Sequence, residues 1–400
     1  MKILFAANRF PYPPYRGDKL KIYHLAKRLA AKHELHLITF IEDKSDLQYL
    51  PQLRKIFKEI HLVPLPKMRS YWNCVTAFFR SEPFQVRYFA SAAMSRKIDD
   101  LLEQHRFDAV HVQHLRMAQF WNKRKHVPRL LDLPDAYSLY WHRRIKSKQG
   151  LRRSFIYTEF KRVYHYEQII RDFDKALVCS NEDRKYLQEE HHLYNVNILP
   201  NGVDLTVFSG EQHRYEQDKV ILFTGNMDYA PNVDAVDYFA TDIFPQILEK
   251  FPDVRFVIAG QRPVKKVLQL ASDNITVTGF VKDLGEMYRK ASIVVAPLRF
   301  GAGTQNKVLE AMAMGVPVVS HNIGFNGLNI KSGEGVVLAS TSGEFVQCCM
   351  ALLESESQRR TIGAKGREVV YEQFDWDTIA TRLENYLLEI QQINQKQPHG

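Results

Sequence analysis

The chain has 400 residues, 45% hydrophobic, 12% aromatic and 25% charged, which excludes a disordered, collagen-like or disulfide-scaffold protein. At roughly 150 residues per domain, two to three domains are expected. The net charge of +10 is uneven: residues 1–200 carry 36 basic and 21 acidic side chains (+15), residues 201–400 carry 19 and 24 (−5). The first half is therefore suited to an anionic partner: nucleic acid, a membrane surface or a phosphorylated glycan.

In chain order, short apolar, β-branched runs predict strands over 2–7, 34–40, 60–65, 108–112, 128–132, 175–179 and 196–199. Helical periodicity lies between them, at 18–32 and 154–172 among others. The second half repeats the pattern. Strands are expected over 219–224, 254–259, 274–278, 292–297, 316–320 and 335–338. Helices are expected over 232–249, 283–290, 305–314, 342–354, 357–372 and 376–392, and a polar tail frays from Gln391.

This alternation predicts an α/β protein of two doubly wound, Rossmann-like domains facing a cleft. The predicted division is 1–200, a linker over 201–218 around Pro200-Asn201-Gly202, then 219–375. The helix and tail over 376–400 are expected to pack back on the first domain.

No run of about 20 apolar residues is present, and the apolar start Ile3 to Ala7 is too short for a secretory signal. Cys74, Cys179, Cys348 and Cys349 form no C-x-x-C pair, so reduced thiols and a cytoplasmic location are expected.

In a doubly wound domain ligands bind at the carboxyl ends of strands. Four loops there draw attention. Pro297 to Val319 reads strand, glycine-rich loop, helix, turn, strand. Gly301 and Gly303 permit close backbone approach. Thr304 is a plausible N-cap, with a helix from Gln305 whose N-terminus favours a phosphate. Arg299 and Lys307 add cations, and Glu310 is placed to accept ribose hydroxyls. The P-loop spacing is missing.

After the first strand of the second half, Gly225 permits approach to a diphosphate beside Asn226, and Asn232 reads as a cap for a helix from Val233. In the first half, the proline-stiffened loop Phe10 to Asp18 brings Arg16 and Gly17 to a helix start, and His114 ends a strand after His111. Two D-x-D triplets, Asp172 to Asp174 and Asp375 to Asp377, lack further ligands nearby and imply no metal.

Together these segments resemble the family-4 retaining glycosyltransferases of the GT-B fold, over essentially the whole chain. The matches are Gly301 to Val319 (G-x-G-x-x-x-K-x-LEAMA-x-G-x-PVV), Pro200 to Asp204, and Gly225-x-Met227-x-Tyr229-x-Pro231-Asn232. Phe10 to Pro14 with Gly17-Asp18-Lys19 is similar to a bacterial branch found with exopolysaccharide export of the exosortase (PEP-CTERM) type. The resemblance implies a nucleotide-sugar donor on the second domain, an acceptor on the first, and retention of anomeric configuration. It implies that Glu310 binds the donor ribose. Lys307, Gly303 and Thr304 contact diphosphate or sugar, Gly17 lies near the phosphates, and His114 lies near the transferred sugar. The first Glu of the family's E-x7-E falls on Ala302, and its usual Arg and Lys fall on Asn226 and Asn232. Arg299 and Lys307 are expected to take over that charge.

The expected catalytic set is His114, Lys307 and Arg299. The donor set is Gly17, Gly225, Asn226, Gly301, Gly303, Thr304, Gln305 and Glu310, with neither metal nor cofactor. The acceptor or membrane set is Arg143, Arg144, Lys146, Arg152 and Arg153, where aromatics interleave with basic residues over 141–165. A similar mixture runs from Lys67 to Arg80. Such surfaces suit an anionic bilayer carrying a glycan or polyprenyl-diphosphate-linked acceptor, rather than nucleic acid. A degenerate GT-B binder and a sugar-nucleotide epimerase are the competing readings.

Overall fold

The structure, a computed structural model, describes residues 1–14, 17–146, 150–210, 215, 219–301 and 305–396, leaving aside the side chains of Lys146, Leu151, Arg152, Gln395 and Lys396. Arg16, Ala302, Gly303 and Thr304 lie outside the described residues. The chain divides into two compact units, Met1–Asn201 with Ile379–Gly400, and Gly202–Thr378.

The first unit is built on seven strands: β1 (Lys2–Ala7), β2 (Glu34–Ile41), β3 (Glu59–Pro64), β4 (Ala109–Gln113), β5 (Arg129–Asp132), β6 (Lys175–Val178) and β7 (Val196–Ile198). They lie in the order β3-β2-β1-β4-β5-β6-β7, every pair parallel. The second unit has β8 (Val220–Thr224), β9 (Arg255–Ala259), β10 (Ile275–Gly279), β11 (Ile293–Ala296), β12 (Val318–Ser320) and β13 (Val336–Leu338). Their order is β10-β9-β8-β11-β12-β13, again all parallel. Parallel strands need helical crossovers, which cover both faces and demand apolar residues on both. In β8, Ile221 and Phe223 enter one buried layer and Leu222 the other. In β11, Ile293 and Val295 divide from Val294 and Ala296 in the same way.

Several boundaries differ from expectation for identifiable reasons. The strand expected over 316–320 begins at Val318, because Val316 N–H closes the preceding helix onto Ala311 O and Pro317 has no N–H to give. The helix expected over 232–249 is Ala230–Tyr238, a wide turn Phe239–Ile243 and then Phe244–Lys250. Pro245 lacks the N–H of a regular helix, and the wide turn absorbs the mismatch. The tail does not fray at Gln391: the last helix runs Trp376–Lys396. Within the first unit Gln391 and Asn394 donate to Asp108 and Asp174, while Glu384 accepts from Lys32 and His33 at 2.9 Å each. The stretch from Gly202 packs within the second unit. Val203 bridges Asp375, and a Cβ on Gly202 would lie 2.7 Å from the Trp376 indole.

The first D-x-D triplet is structural, with Asp174 Oδ2 accepting from Arg129 N at 2.6 Å. A buried ion pair organises the same unit. Lys21 Nζ, on helix Gly17–Leu29, donates to Asp132 Oδ1 at 2.6 Å and to Leu199 O at 2.8 Å. Asp132 Oδ2 lies 3.2 Å from His111 Nε2. Burial is the largest single influence and depresses Lys21, but the charges of Asp132 and Cys179 and the hydrogen bonds to them together outweigh it, and the net shift is upward. Removing one partner of such a pair strands a buried charge. Lys21→Met is therefore expected to destabilise this unit by about 3–5 kcal/mol. Urea unfolding checks this, and Asp132→Asn added to Lys21→Met should recover part of the loss.

Candidate functional site

In the second unit the strand order reverses between β8 and β11, so crossovers leave these neighbours towards opposite faces and open a crevice at their carboxyl ends. The loops after β8 and β11 are those carrying the expected donor residues. After β8, Gly225 N–H donates to Ala259 O at 3.1 Å. A Cβ on Gly225 would lie 2.6 Å from Asn232 Nδ2, and one on Gly260 would lie 1.7 Å from Gly225 O. The two glycines bring bare backbone together at the floor of the crevice. Asn226 Oδ1 accepts from Gln261 Nε2 at 2.8 Å.

Asn232 is not a helix cap. The helix starts at Ala230 with Tyr229 at the N-cap, and Asn232 is buried within its first turn. Its Nδ2 donates to Asn226 O at 3.0 Å, and its Oδ1 accepts from Lys307 Nζ at 2.8 Å. It ties the two loops together.

After β11, Gly301 adopts φ +145°, open to glycine. The following helix is Asn306–Ala313 with Gln305 at the N-cap, so the cap is not Thr304 and the helix starts one residue later than expected. Lys307 is buried, 4.6 Å from the Phe223 ring centre, and burial pulls its pKa down to about 8 against the pull of Glu310. Glu310, one turn on, is raised by burial, with Tyr288 and Lys307 opposing. Its Oε2 accepts from Tyr288 OH at 2.8 Å, and that phenol also meets Thr224 Oγ1 at 2.8 Å. A carboxylate only accepts, so the proton order runs Thr224 to Tyr288 to Glu310.

Arg299 is not a free cation. Its Nε and Nη2 grip Asp234 at 2.9 and 2.6 Å, and its guanidinium lies over Tyr238. Its charge is balanced within the unit, which leaves Lys307 as the buried cation among the described donor-loop residues.

The first unit has its own reversal, between β1 and β4. Gly17 opens the helix after β1, and Asp18 O accepts from Gln113 Nε2, at the end of β4, at 2.5 Å. His114 follows at φ +79° and caps helix Leu115–Ala118, its Nδ1 accepting from Arg116 N at 3.3 Å. That fixes the proton on Nε2, which meets Tyr137 OH. Burial, then Arg116 and Arg9, hold its pKa well below the usual histidine value, so it is neutral near pH 7.

Sequence reasoning missed Tyr288, Asp234, Gln261 and Gly260. Gly260 and Gln261 follow β9 directly, so the strand-end rule extended to every strand finds them. Tyr288 and Asp234 sit inside helices and carry no such signal.

The two basic and aromatic stretches meet as one surface. Helix Lys67–Ala77 and the turn after it expose Met68, Tyr71, Trp72, Val75, Phe78 and Phe79, the last 91% exposed. Phe78 packs on Phe84 at 4.9 Å, and Phe84 stacks on Phe155 of helix Gly150–Tyr166 at 5.6 Å. Arg162 lies over Phe84, Arg144 over Trp141, and Arg153 is exposed. Arg143 is paired with Glu182, an acid outside the stretch. Glu159 itself is buried and accepts from Phe84 N at 2.8 Å. The side chains of Lys146 and Arg152 lie outside the described residues. Among the described residues no helix is long and apolar enough to cross a membrane.

Residues 22–207 match the family model described as glycosyltransferase family 4, and residues 218–355 that of glycosyl transferases group 1. Over 395 residues the chain is 22% identical to an uncharacterized 44.6 kDa protein in the cps region of Klebsiella pneumoniae, covering 94% of this chain and 96% of that one. It is 28% identical to the phosphatidyl-myo-inositol mannosyltransferase of Mycobacterium leprae over 195 residues, 46% of this chain and 51% of the relative. Among solved structures, Anabaena HepE in complex with UDP superposes with a TM-score of 0.69 at 15% identity, over 97% of this chain and 100% of that one. The two crevice-bearing parallel sheets, the two family matches and this shared fold agree: the chain belongs to the family-4 glycosyltransferases of the GT-B fold.

Proposed function

We propose that this chain transfers a sugar from a nucleoside-diphosphate donor to a glycan or lipid-diphosphate-linked acceptor, with retention of configuration, in surface polysaccharide synthesis at the cytoplasmic face of a membrane. The observation that carries the reading is Lys307: a buried ammonium in the first turn of a helix, at the strand-order reversal, held by Asn232 from the helix that follows β8. A diphosphate leaving group gathers charge as its glycosidic bond breaks. A preset cation and a helix N-terminus stabilise that charge without reorganising. Glu310, its Oε2 held by Tyr288, is the ribose acceptor. HepE, solved with UDP and with UDP-glucose, supports a nucleotide-sugar donor. The cps-region relative supports a polysaccharide setting.

In the retaining route proposed, the acceptor hydroxyl attacks from the face the diphosphate leaves. The acceptor oxygen bonds to the anomeric carbon, the bond to the diphosphate oxygen breaks, and the hydroxyl proton passes to the leaving phosphate. This step is electrostatic and asks for no protein nucleophile. Neutral His114, its ring nitrogens held by Arg116 N and Tyr137 OH, is assigned a place near the transferred sugar, with Gly17 beside the phosphates. Gly225, Asn226, Gly301, Gly303, Thr304 and Gln305 are assigned to the donor, and Arg299 to shaping the crevice through Asp234.

A thermal-shift screen with UDP, GDP, ADP and dTDP sugars tests donor binding, since a ligand of the folded state alone raises its stability. One nucleotide class should stabilise the protein, and Glu310→Ala should weaken it by about 10- to 100-fold, the worth of a charged hydrogen bond. Transfer of a labelled sugar then separates a transferase from a binder that turns nothing over and from an epimerase.

Lys307 is protonated below its pKa of about 8 and neutral above it. Nucleoside-diphosphate affinity should therefore fall as pH rises from about 7 to about 9, a range in which ordinary lysines stay charged. Isothermal titration across that range checks this, and Lys307→Met should give weaker binding with a flat profile.

The surface joining Phe79, Trp72 and Phe155 to Arg153 and Arg162 supports peripheral docking on an anionic bilayer, aromatics entering the interface and cations meeting headgroups. In flotation with phosphatidylglycerol liposomes the protein should rise at low salt and less so at high salt. Phe79→Asp with Trp72→Ala should abolish flotation; equal flotation of the variant removes the assignment.

A further inference from the structure

At the amino ends of the strands in the first unit, away from the β1/β4 reversal, three imidazoles converge on one carboxylate. Parallel pairing sets His36 on β2 opposite Glu59 on β3, and Ile38 opposite His61. His36, Glu59 and His61 therefore share one face of the sheet. His105, capping the end of helix Ala92–Gln104, comes down onto that face with its ring centre 5.0 Å from that of His36. Glu59 Oε2 lies 3.7 Å from His36 Nδ1, 3.4 Å from His105 Nε2 and 3.2 Å from His61 Nε2. One ligand atom each from His36, Glu59 and His105 fall within 4.8 Å of one another.

Hydrogen bonding within this group leaves one buried ring nitrogen, His36 Nδ1, without a partner. His36 is fully buried, and its Nε2 lies 3.0 Å from Glu34 Oε1. A carboxylate only accepts, so Nε2 carries the proton of the neutral ring. Nδ1 is then a lone pair, buried, without a hydrogen-bond partner, and aimed at another lone-pair atom of Glu59. His61 Nε2 is likewise buried, 3.2 Å from Glu59 Oε2. The buried, unpartnered His36 lone pair facing the Glu59 carboxylate is accounted for by a cation between them.

We propose that His36 Nδ1, His105 Nε2 and Glu59, with His61 beside them, bind a divalent transition ion of the zinc class. Bonds of about 2.1 Å in a tetrahedral site space ligand atoms about 3.4 Å apart, close to the separations from Glu59 Oε2. Imidazole with one carboxylate suits zinc, cobalt or nickel and not calcium or magnesium. Glu34 supplies the carboxylate that orients a ligating histidine through its second nitrogen. Glu59, over a third exposed, is the side open to an entering ion. Lys2 Nζ lies 2.8 Å from His105 Nδ1 and 3.5 Å from Glu34 Oε1. On loading, Lys2 turns to Glu34 and the His105 proton passes from Nε2 to Nδ1, so the ring binds the ion while neutral. The sequence leads to an expectation of no metal anywhere in the chain, and this site departs from it at the amino ends of these strands.

The test uses the full chain, stripped with chelator and titrated with Co²⁺, whose visible absorption rises in low-symmetry nitrogen and oxygen sites. One Co²⁺ per chain with such a band, displaced by one equivalent of Zn²⁺, is expected. Glu59→Gln and His105→Asn should each abolish the band, and Glu34→Gln, at a half-exposed carboxylate, should weaken Zn²⁺ binding about 10- to 100-fold. Circular dichroism establishes that each variant is folded. A wild-type chain with no band and no retained zinc overturns the proposal. So does zinc retained equally by folded Glu59→Gln and His105→Asn, which means adventitious binding to other histidines. Nucleotide thermal shifts are read separately, so failure here leaves the transferase reading standing.

Discussion

Everything in each unit depends on one geometric constraint of parallel sheets. A strand reaches its parallel neighbour only by a crossover, and the crossover keeps a right-handed sense. Strands added on either side of a starting strand therefore send their crossovers to opposite faces. Where β8 adjoins β11, and where β1 adjoins β4, the two connections part and leave the strand ends uncovered. Glycine at 225, 260 and 301 lets the backbone line that opening without side chains filling it. The chemistry proposed for this protein occupies a gap that topology creates.

The gap is made useful by a costly burial. An ammonium moved out of water loses solvation that a single neutral partner does not return, and Lys307 shows this in its lowered pKa. Asn232 Oδ1, the Phe223 ring face and the nearby Glu310 carboxylate offset part of the cost. What remains is a cation short of counter-charge, the state that favours an arriving diphosphate. Arg299 is the contrast: Asp234 takes its fork in two hydrogen bonds and leaves it electrically satisfied. Two cations eight residues apart in sequence thus have opposite electrostatic standing, decided by a residue 65 positions upstream of Arg299.

Strand positions were legible because a strand buried on both faces must read as an apolar run, and β1, β8 and β11 do. Loops at the strand carboxyl ends were legible because glycine there has few other uses. Boundaries set by missing donors were less so. Pro317 and Pro245 act through hydrogen bonds that fail to form, and periodicity does not register those. Partnerships across the fold were the least legible: Asn232 with Lys307, Arg299 with Asp234 and Tyr288 with Glu310 join helices or loops separated by tens of residues. Local spacing made Asn232 a cap because Asn commonly is one. Only the packing of helix Ala230–Tyr238 turns its amide towards Lys307.

The same blindness hides the histidine cluster, and its position gives it a different meaning from the crevices. His36 and Glu59 are 23 residues apart in sequence but directly opposed in register, and His105 arrives from a third segment. Strand amino ends lie at the opposite edge of the sheet from the loops proposed to meet substrate, so an ion there would act on the fold and not on the reacting atoms. It would join β2 to β3, one of the two edge strands of the seven, and pin helix Ala92–Gln104 onto them through His105. An edge strand has ladder bonds on one side only and is the first to open. A metal clip at its start supplies the second attachment that position in the sheet denies it.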